Sequence, residues 1–282
     1  MNFLPNFTIL KKHSGIRKYF SNTSWLLGER ILRMGVSLFV GIYVIRYLGP
    51  EKYGLLSYTM SFVCLFSAFL DLGHREIIVR ELVLYPEQRN VILGSAILLR
   101  LGGAVFLGSG VAVGLQLVDN DQQTSLMIAI VALGMAFQSW ELIDYYFQSQ
   151  VQSKYTAWAL TIQLLVVSLI KISLIIWQAP LIYFAAVFSL EYVITAALFL
   201  LMYKWQVGGF PILNCNLIYA RQMLKNSFPL LLTGMAILIY MKIDQVMLKE
   251  LVGAETVGTY AAAVKLCEVW YHIPVLIAVS LY

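Results

Sequence analysis

Charged residues are scarce in this chain. Asp, Glu, Lys and Arg make up 12% of its 282 residues, while 60% are hydrophobic. A water-soluble globular domain carries about 25% charged residues, so that class is excluded. Cysteine is scarce as well. Cys64, Cys215 and Cys267 lie far apart with no CxxC spacing, which removes both a disulfide framework and a cysteine-based metal site and leaves packing residues. Outside the apolar runs there is no Ser/His/Asp set, no phosphate-cradling glycine loop and no metal-spaced cluster, so no cofactor is expected and the chain does not read as an enzyme.

What the chain has instead is long apolar runs, with a mean hydropathy of +0.77. Eight runs, at about 23–48, 53–72, 91–117, 125–149, 155–177, 181–203, 227–250 and 256–282, are each long enough to cross a hydrocarbon core of about 30 Å as a helix. They are continuously apolar and lack the inside/outside alternation of barrel strands, so the expected fold class is all-α integral membrane. The first run follows Lys11, Lys12, Arg17 and Lys18. It is too long for a cleaved secretory signal and reads as an uncleaved signal anchor.

With eight spans, the loops alternate between the two sides. One side holds eleven Lys and Arg residues, including Arg75, Arg80, Arg89, Lys154, Lys204, Arg221 and Lys225; the other holds Arg46, Lys52 and Lys249. The positive-inside rule puts the basic side, and the amino terminus, in the cytoplasm. The net charge of +5 follows from this asymmetry and requires no nucleic-acid partner. After the sixth span, residues 204–226 contain the breaker GGFP and a short amphipathic segment, Asn216 to Asn226, expected along the membrane surface. The expected organisation is a basic segment (1–22), a six-helix lobe (23–203), a cytoplasmic linker (204–226) and the start of a second lobe (227–282).

An internal repeat supports two lobes. YLGPEKYGLLSY (Tyr47 to Tyr58) follows the first span, and LVGAETVGTYAA (Leu251 to Ala262) follows the seventh. At an offset of 204, Gly49, Glu51 and Gly54 match Gly253, Glu255 and Gly258. Copies separated by six spans run in the same direction, as in parallel repeats about an axis along the membrane normal. The second copy supplies two spans and the chain ends at IAVSLY inside an apolar run, which gives the expectation of a longer two-lobe parent protein.

The segments RYLGPEKYGLLSY (Arg46 to Tyr58), DLGHREIIVRE (Asp71 to Glu81) and IDQVMLKELVGAETVGTYAAAVKLCE (Ile243 to Glu268) resemble the bacterial O-antigen and polysaccharide repeat-unit flippases of the multidrug/oligosaccharidyl-lipid/polysaccharide exporter superfamily. The resemblance implies two helical lobes in the bacterial inner membrane. The implied activity is transfer of undecaprenyl-pyrophosphate-linked oligosaccharide to the periplasmic leaflet by alternating access, among membrane lipids and alongside polysaccharide polymerase machinery. A cation-coupled drug exporter of the same superfamily, and a membrane glycan polymerase or glycosyltransferase, are the alternatives.

Ionisable groups inside apolar runs are the candidate site residues, because each costs several kcal/mol at mid-bilayer unless it faces a cavity or a partner. On the first run Glu29, Arg30 and Arg33 fall on one side of a helix, roughly 9 to 15 Å from its basic end. Arg100 on the third run and Glu141 and Asp144 on the fourth lie at matching depth. Two outcomes are open: ion pairs that register the helices, or a cavity in which Arg30, Arg33 and Arg100 hold a diphosphate. Lys242 and Asp244 on the seventh run are about 200° apart around a helix and cannot pair on one face. Lys242 reads either as a cavity cation or as a snorkelling lysine. Asp244 is expected to pair with Lys265 of the stripe Lys265, Glu268, His272. Glu191 has no base on its own helix and is a candidate coupling site, Lys171 reads as snorkelling, and Tyr145 and Tyr146 are candidates for stacking on sugars.

Overall fold

The computed structural model describes residues 12–118, 121–209 and 214–281, with side chains described over 23–118, 121–209 and 214–268. Among the described residues the elements are helices α1 (Lys12–Phe66), α2 (Ala68–Asp71), α3 (Arg75–Leu84), α4 (Arg89–Leu117), α5 (Gln122–Ala136), α6 (Leu142–Ser149), α7 (Ser153–Ile176), α8 (Leu181–Val207), α9 (Leu217–Val252) and α10 (Ala254–Leu281), with 3₁₀ turns at Pro86–Gln88 and Phe137–Glu141 and no strand. The protein is an all-α integral membrane protein. Lys11 lies outside the described residues, as do the side chains of Lys12, Arg17, Lys18 and His272.

Six helical stretches among the described residues are long and apolar enough to cross a bilayer: Thr23–Leu84, Pro86–Leu117, Gln122–Ser149, Ser153–Ile176, Leu181–Val207 and Leu217–Val252. The first of these contains the first two apolar runs. As one straight rod its 62 residues would reach about 93 Å, about three times the hydrocarbon thickness. Gly49 breaks it with a backbone that L side chains rarely adopt (φ 71°, ψ 173°). Pro50 follows at the first position of the second arm, where its missing N–H is not needed. Gly41 and Ser57, equally far from the break, line one cavity, so the two arms lie side by side as a hairpin. The eighth run coincides with α10, whose side chains beyond Glu268 are outside the described set.

Gly253 (φ 103°, ψ 169°) repeats the conformation of Gly49 at the end of α9. The two copies of the repeat also touch. A Cβ on Gly54 would lie 1.8 Å from the carbonyl oxygen of Ala254, and a Cβ on Gly258 would lie 1.8 Å from that of Pro50. Positions 50 and 254 are themselves related by the repeat offset, so each copy offers its glycine to the same carbonyl of the other. A reciprocal contact of this kind is what a two-fold relation between copies produces. Glycine at both places is required by the closeness of the backbones.

Three expected elements differ. The run at 125–149 is interrupted by the 3₁₀ turn Phe137–Glu141. The run at 53–72 stops at Phe66, and α2 ends where Leu72 (φ 50°) and Gly73 (φ 62°) take left-handed conformations. The segment 216–226 is no separate surface helix: Asn216 caps α9 by accepting from the N–H groups of Ile218 and Tyr219 at 3.0 and 3.1 Å, and α9 continues unbroken to Val252. That cap satisfies two otherwise orphaned donors, so the helix begins there rather than at the apolar boundary.

Candidate functional site

The two arms of α1, together with α7, α8 and α10, enclose a cavity of about 660 Å³. On α1 its wall is the stripe Arg30, Arg33, Ser37, Gly41 and Val44, recurring every three or four residues as one helical face must. α7 contributes Gln163, Val167 and Lys171 by the same spacing, α8 contributes Phe184 and Glu191 two turns apart, and α10 contributes Lys265 and Glu268. Four basic and three acidic side chains therefore face one membrane-embedded space.

The acids are all engaged. Arg33 Nε donates to Glu29 Oε1 at 2.6 Å, and Arg33 Nη2 reaches the carbonyl oxygen of Leu160 on α7 at 3.5 Å. Lys171 and Glu191 pair at 3.7 Å, and Glu268 pairs with Lys242 at 3.8 Å. Among the described residues Arg30 and Lys265 form no ion pair, although both line the cavity. Lys265 reaches so close to α1 that a Cβ on Gly41 would lie 2.4 Å from its Nζ. Gly41 makes room for that ammonium. Gln163 is buried, lines the same space, and its Nε2 has no hydrogen-bond partner. The cavity thus presents two cations without ion pairs, beside a buried amide whose unpartnered Nε2 is closed off from the space.

A second polar centre lies outside this cavity, where α2, α4 and α6 meet the 3₁₀ turn Phe137–Glu141. Arg100 is 1% exposed. Its Nη2 donates to Asp71 Oδ1 at 2.9 Å and to the Tyr145 hydroxyl at 2.7 Å, and its Nη1 donates to the Gln138 carbonyl at 2.8 Å. The Tyr145 ring also lies 5.3 Å from the Arg100 guanidinium and 5.6 Å from that of Arg75, within cation–π range.

Several expected pairings are corrected by this geometry. Arg100 does not join Arg30 and Arg33, and its partner is Asp71 rather than Glu141 or Asp144. Asp144 instead accepts from the Thr156 hydroxyl at 2.5 Å and from Gln148 Nε2 at 2.6 Å, and Glu141 makes no ion pair among the described residues. Asp244 does not meet Lys265: it accepts from the Tyr260 hydroxyl and from the Gln245 N–H. Lys242 is not in the cavity wall and is held at its edge by Glu268. Lys171 does not snorkel, because Glu191 holds it. Tyr145 and Tyr146 are buried, Tyr146 with its ring edge against Tyr203 at 5.2 Å, and neither lines the cavity. Asp71, Gln163 and Gly41 were not singled out from sequence. Gln163 carried the clearest signal, an amide in the middle of the apolar run AWALTIQLLVVSLIKI.

With the geometry in place, comparison with known proteins assigns the chain. A family model described as polysaccharide biosynthesis protein matches residues 20–282. The chain belongs to that family. No curated protein and no solved structure is matched. Within this polysaccharide biosynthesis protein, the matched region includes both copies of the glycine repeat, every cavity-lining residue and the Arg100 centre. Membership places a multi-pass membrane protein in polysaccharide biosynthesis.

Proposed function

We propose that this chain carries out transbilayer movement of a lipid-linked oligosaccharide. The substrate is an undecaprenyl-pyrophosphate-linked repeat unit, moved from the cytoplasmic to the periplasmic leaflet of the inner membrane by alternating access, for O-antigen or another surface polysaccharide. The amino terminus is on the cytoplasmic side, in keeping with the lysine and arginine asymmetry of the loops. The reading is one of transport, with no covalent step, and a polysaccharide polymerase would receive the product.

The observation that carries this reading is the pair of cavity cations without ion pairs, Arg30 and Lys265. A cation in a membrane interior costs several kcal/mol unless something answers its charge. A diphosphate supplies that charge and accepts charge-assisted hydrogen bonds, bidentate ones from a guanidinium included. Ser37, Ser57 and Ser168, all in the wall, offer donors and acceptors to the sugar next to it. The cavity volume lies within the range of about 300–1,000 Å³ found for small-molecule sites. A cationic drug would meet four basic side chains against three acidic ones in the same wall, which favours the anionic lipid over the drug-exporter reading.

The test is equilibrium binding of undecaprenyl pyrophosphate and of undecaprenol to the chain in nanodiscs. The pyrophosphate should bind much more tightly, and the double variant Arg30→Ala/Lys265→Ala should weaken it about 100-fold, at roughly 1.4 kcal/mol for each charge-assisted contact. Equal affinity for the two lipids, or an unaffected double variant, would remove the diphosphate from the site.

A further inference from the structure

The start of α9 is bound to α3 and α4 largely through its backbone. The Asn214 N–H donates to the Asn90 carbonyl oxygen of α4 at 3.2 Å. The buried Ser95 hydroxyl donates to the Asn216 carbonyl oxygen at 3.3 Å and accepts from the Asn216 N–H at 3.2 Å. Between them the Cys215 thiol reaches the Gly94 carbonyl oxygen at 3.5 Å. Gly94 is where the two backbones press together: a Cβ there would lie 2.6 Å from the Asn214 carbonyl oxygen. At the first turn of α9 the Tyr219 hydroxyl donates to the Glu81 carboxylate of α3. A second close approach follows further along. A Cβ on Gly73, in the left-handed turn between α2 and α3, would lie 2.7 Å from the Leu231 backbone nitrogen. Between the two glycines α9 buries Ala220, Met223, Ser227 and Leu231, one helical face at steps of three and four residues. From 232 to 244 it buries no residue, and Gln245 is the next.

Resting on the transport reading above, we infer that residues 214–231 form a clasp that stays closed throughout the transport cycle. About the first four turns of α9 then move as one body with α2, α3 and α4. By composition, residues 204–226 are a linker with a breaker at GGFP, yet their described end is fastened down. Two features make the fastening permanent. The backbones meet at glycines, a fit with no side chain in it that could swap partners. Asn216 also serves twice, capping α9 with its side chain and holding Ser95 with its main chain. Opening the clasp would pull that residue from Ser95 and strip the hydroxyl of its protein partners. The segment DLGHREIIVRE thereby gains a role. Asp71 ties the turn to α4 through Arg100, Gly73 receives α9, and Glu81 holds Tyr219. None of the clasp residues lines the charged cavity, so the clasp is separable from substrate binding.

Cys215 is exposed and so open to reagents. Ser95→Cys is joined to it with a short, cleavable bifunctional thiol reagent, and the wild type treated alike controls for the other cysteines. Transfer of a fluorescent undecaprenyl-pyrophosphate-linked sugar is then followed in proteoliposomes. The linked protein should transfer at the rate of the unlinked variant, and linking should be as fast with undecaprenyl pyrophosphate present as without it. Transfer lost on linking and recovered on cleavage, or linking slowed by the lipid, would show a clasp that opens and overturn the inference. The opposite perturbation is Gly94→Ala. Alanine favours a helix more than glycine does, so α4 itself is not weakened, while the methyl group pushes residue 214 away. Transfer should fall about fivefold from this overpacking, with affinity for undecaprenyl pyrophosphate unchanged. Gly102→Ala lies on the same helix with nothing within 4 Å of its Cβ and should transfer like the wild type. Full transfer in Gly94→Ala, or an equal fall in Gly102→Ala, overturns the clasp while the diphosphate site stands. A wild type that binds no pyrophosphate lipid and transfers none removes the transport reading, and the inference with it.

Discussion

Arg100 and Lys265 are both basic residues inside apolar helices, yet their surroundings are opposite. Arg100 spends its donors on a carboxylate, a hydroxyl and a carbonyl, and is almost wholly buried. Lys265 stands in a cavity of about 660 Å³ with no ion pair among the described residues. A cation held by an ion pair fastens helices together, here α2 and α4 to the 3₁₀ turn in the fourth run, even though the buried Arg100 Nε has no partner. One that lines a cavity without an ion pair is left for a guest. The distinction lies in what surrounds the charge rather than in residue type or depth.

The largest expected effect attacks the fastened centre. Asp71→Ala leaves the buried Arg100 guanidinium without a counter-ion, a change that costs about 3 kcal/mol, towards the low end for buried pairs because Asp71 is half exposed. Chemical unfolding in detergent should report that loss, and a variant as stable as wild type would show that Tyr145 and Gln138 suffice. The cavity cation should behave in the opposite way. Lys265→Met should unfold like the wild type or at slightly higher denaturant, while its affinity for a pyrophosphate lipid drops about tenfold, or roughly 1.4 kcal/mol. Loss of stability without loss of affinity would place Lys265 with Arg100. A milder probe is Gly41→Val, whose side chain must push the Lys265 ammonium aside. Because the lysine tip is flexible, stability should change little and pyrophosphate affinity should fall a fewfold in the same binding assay.

The smallest expected effect lies outside the membrane, at Asp121. This residue caps α5, accepting from the Thr124 N–H at 3.3 Å. Hydrogen bonding from Thr124, and then from neighbouring backbone N–H groups, holds its carboxyl below the usual carboxylate range. Its folded value is depressed, so its stabilisation is present above the ordinary carboxylate pKa and is lost as pH falls through the folded value. Asp121→Asn keeps a capping oxygen and removes the titration. Melting profiles of wild type and variant should therefore coincide near neutral pH and separate slightly in acid, the wild type losing more. Parallel profiles throughout would show that the cap is not coupled to protonation.

The fold class was legible because the length and composition of an apolar run speak for themselves, and the glycine repeat marked the two turns that touch through Gly54 and Gly258. The pairing of charges was not legible. Which neighbour a side chain meets depends on how each helix is rotated and on breaks such as the 3₁₀ turn at Phe137–Glu141. Those features leave Glu141 near Arg100 but outside ion-pair distance, and turn Asp144 to Thr156 and Gln148, although their depths match. Glu191 illustrates the same point: its partner Lys171 is on another helix, and helical spacing along one segment carries no information about that. Asp71 looked like the end of a span, and only the left-handed turn at Leu72 and Gly73 explains how the chain turns off directly beyond it. Arg30 and Arg33 were expected on one face and do share the cavity wall, yet Arg33 is committed to Glu29.

The most direct test of the central claim is transbilayer transfer in proteoliposomes, followed as a fluorescent undecaprenyl-pyrophosphate-linked sugar becomes accessible to an impermeant quencher. The account predicts transfer that depends on the protein, nearly abolished in Arg30→Ala/Lys265→Ala and retained in Asp121→Asn. Transfer no faster than in protein-free vesicles, or undiminished in the double variant, would contradict it.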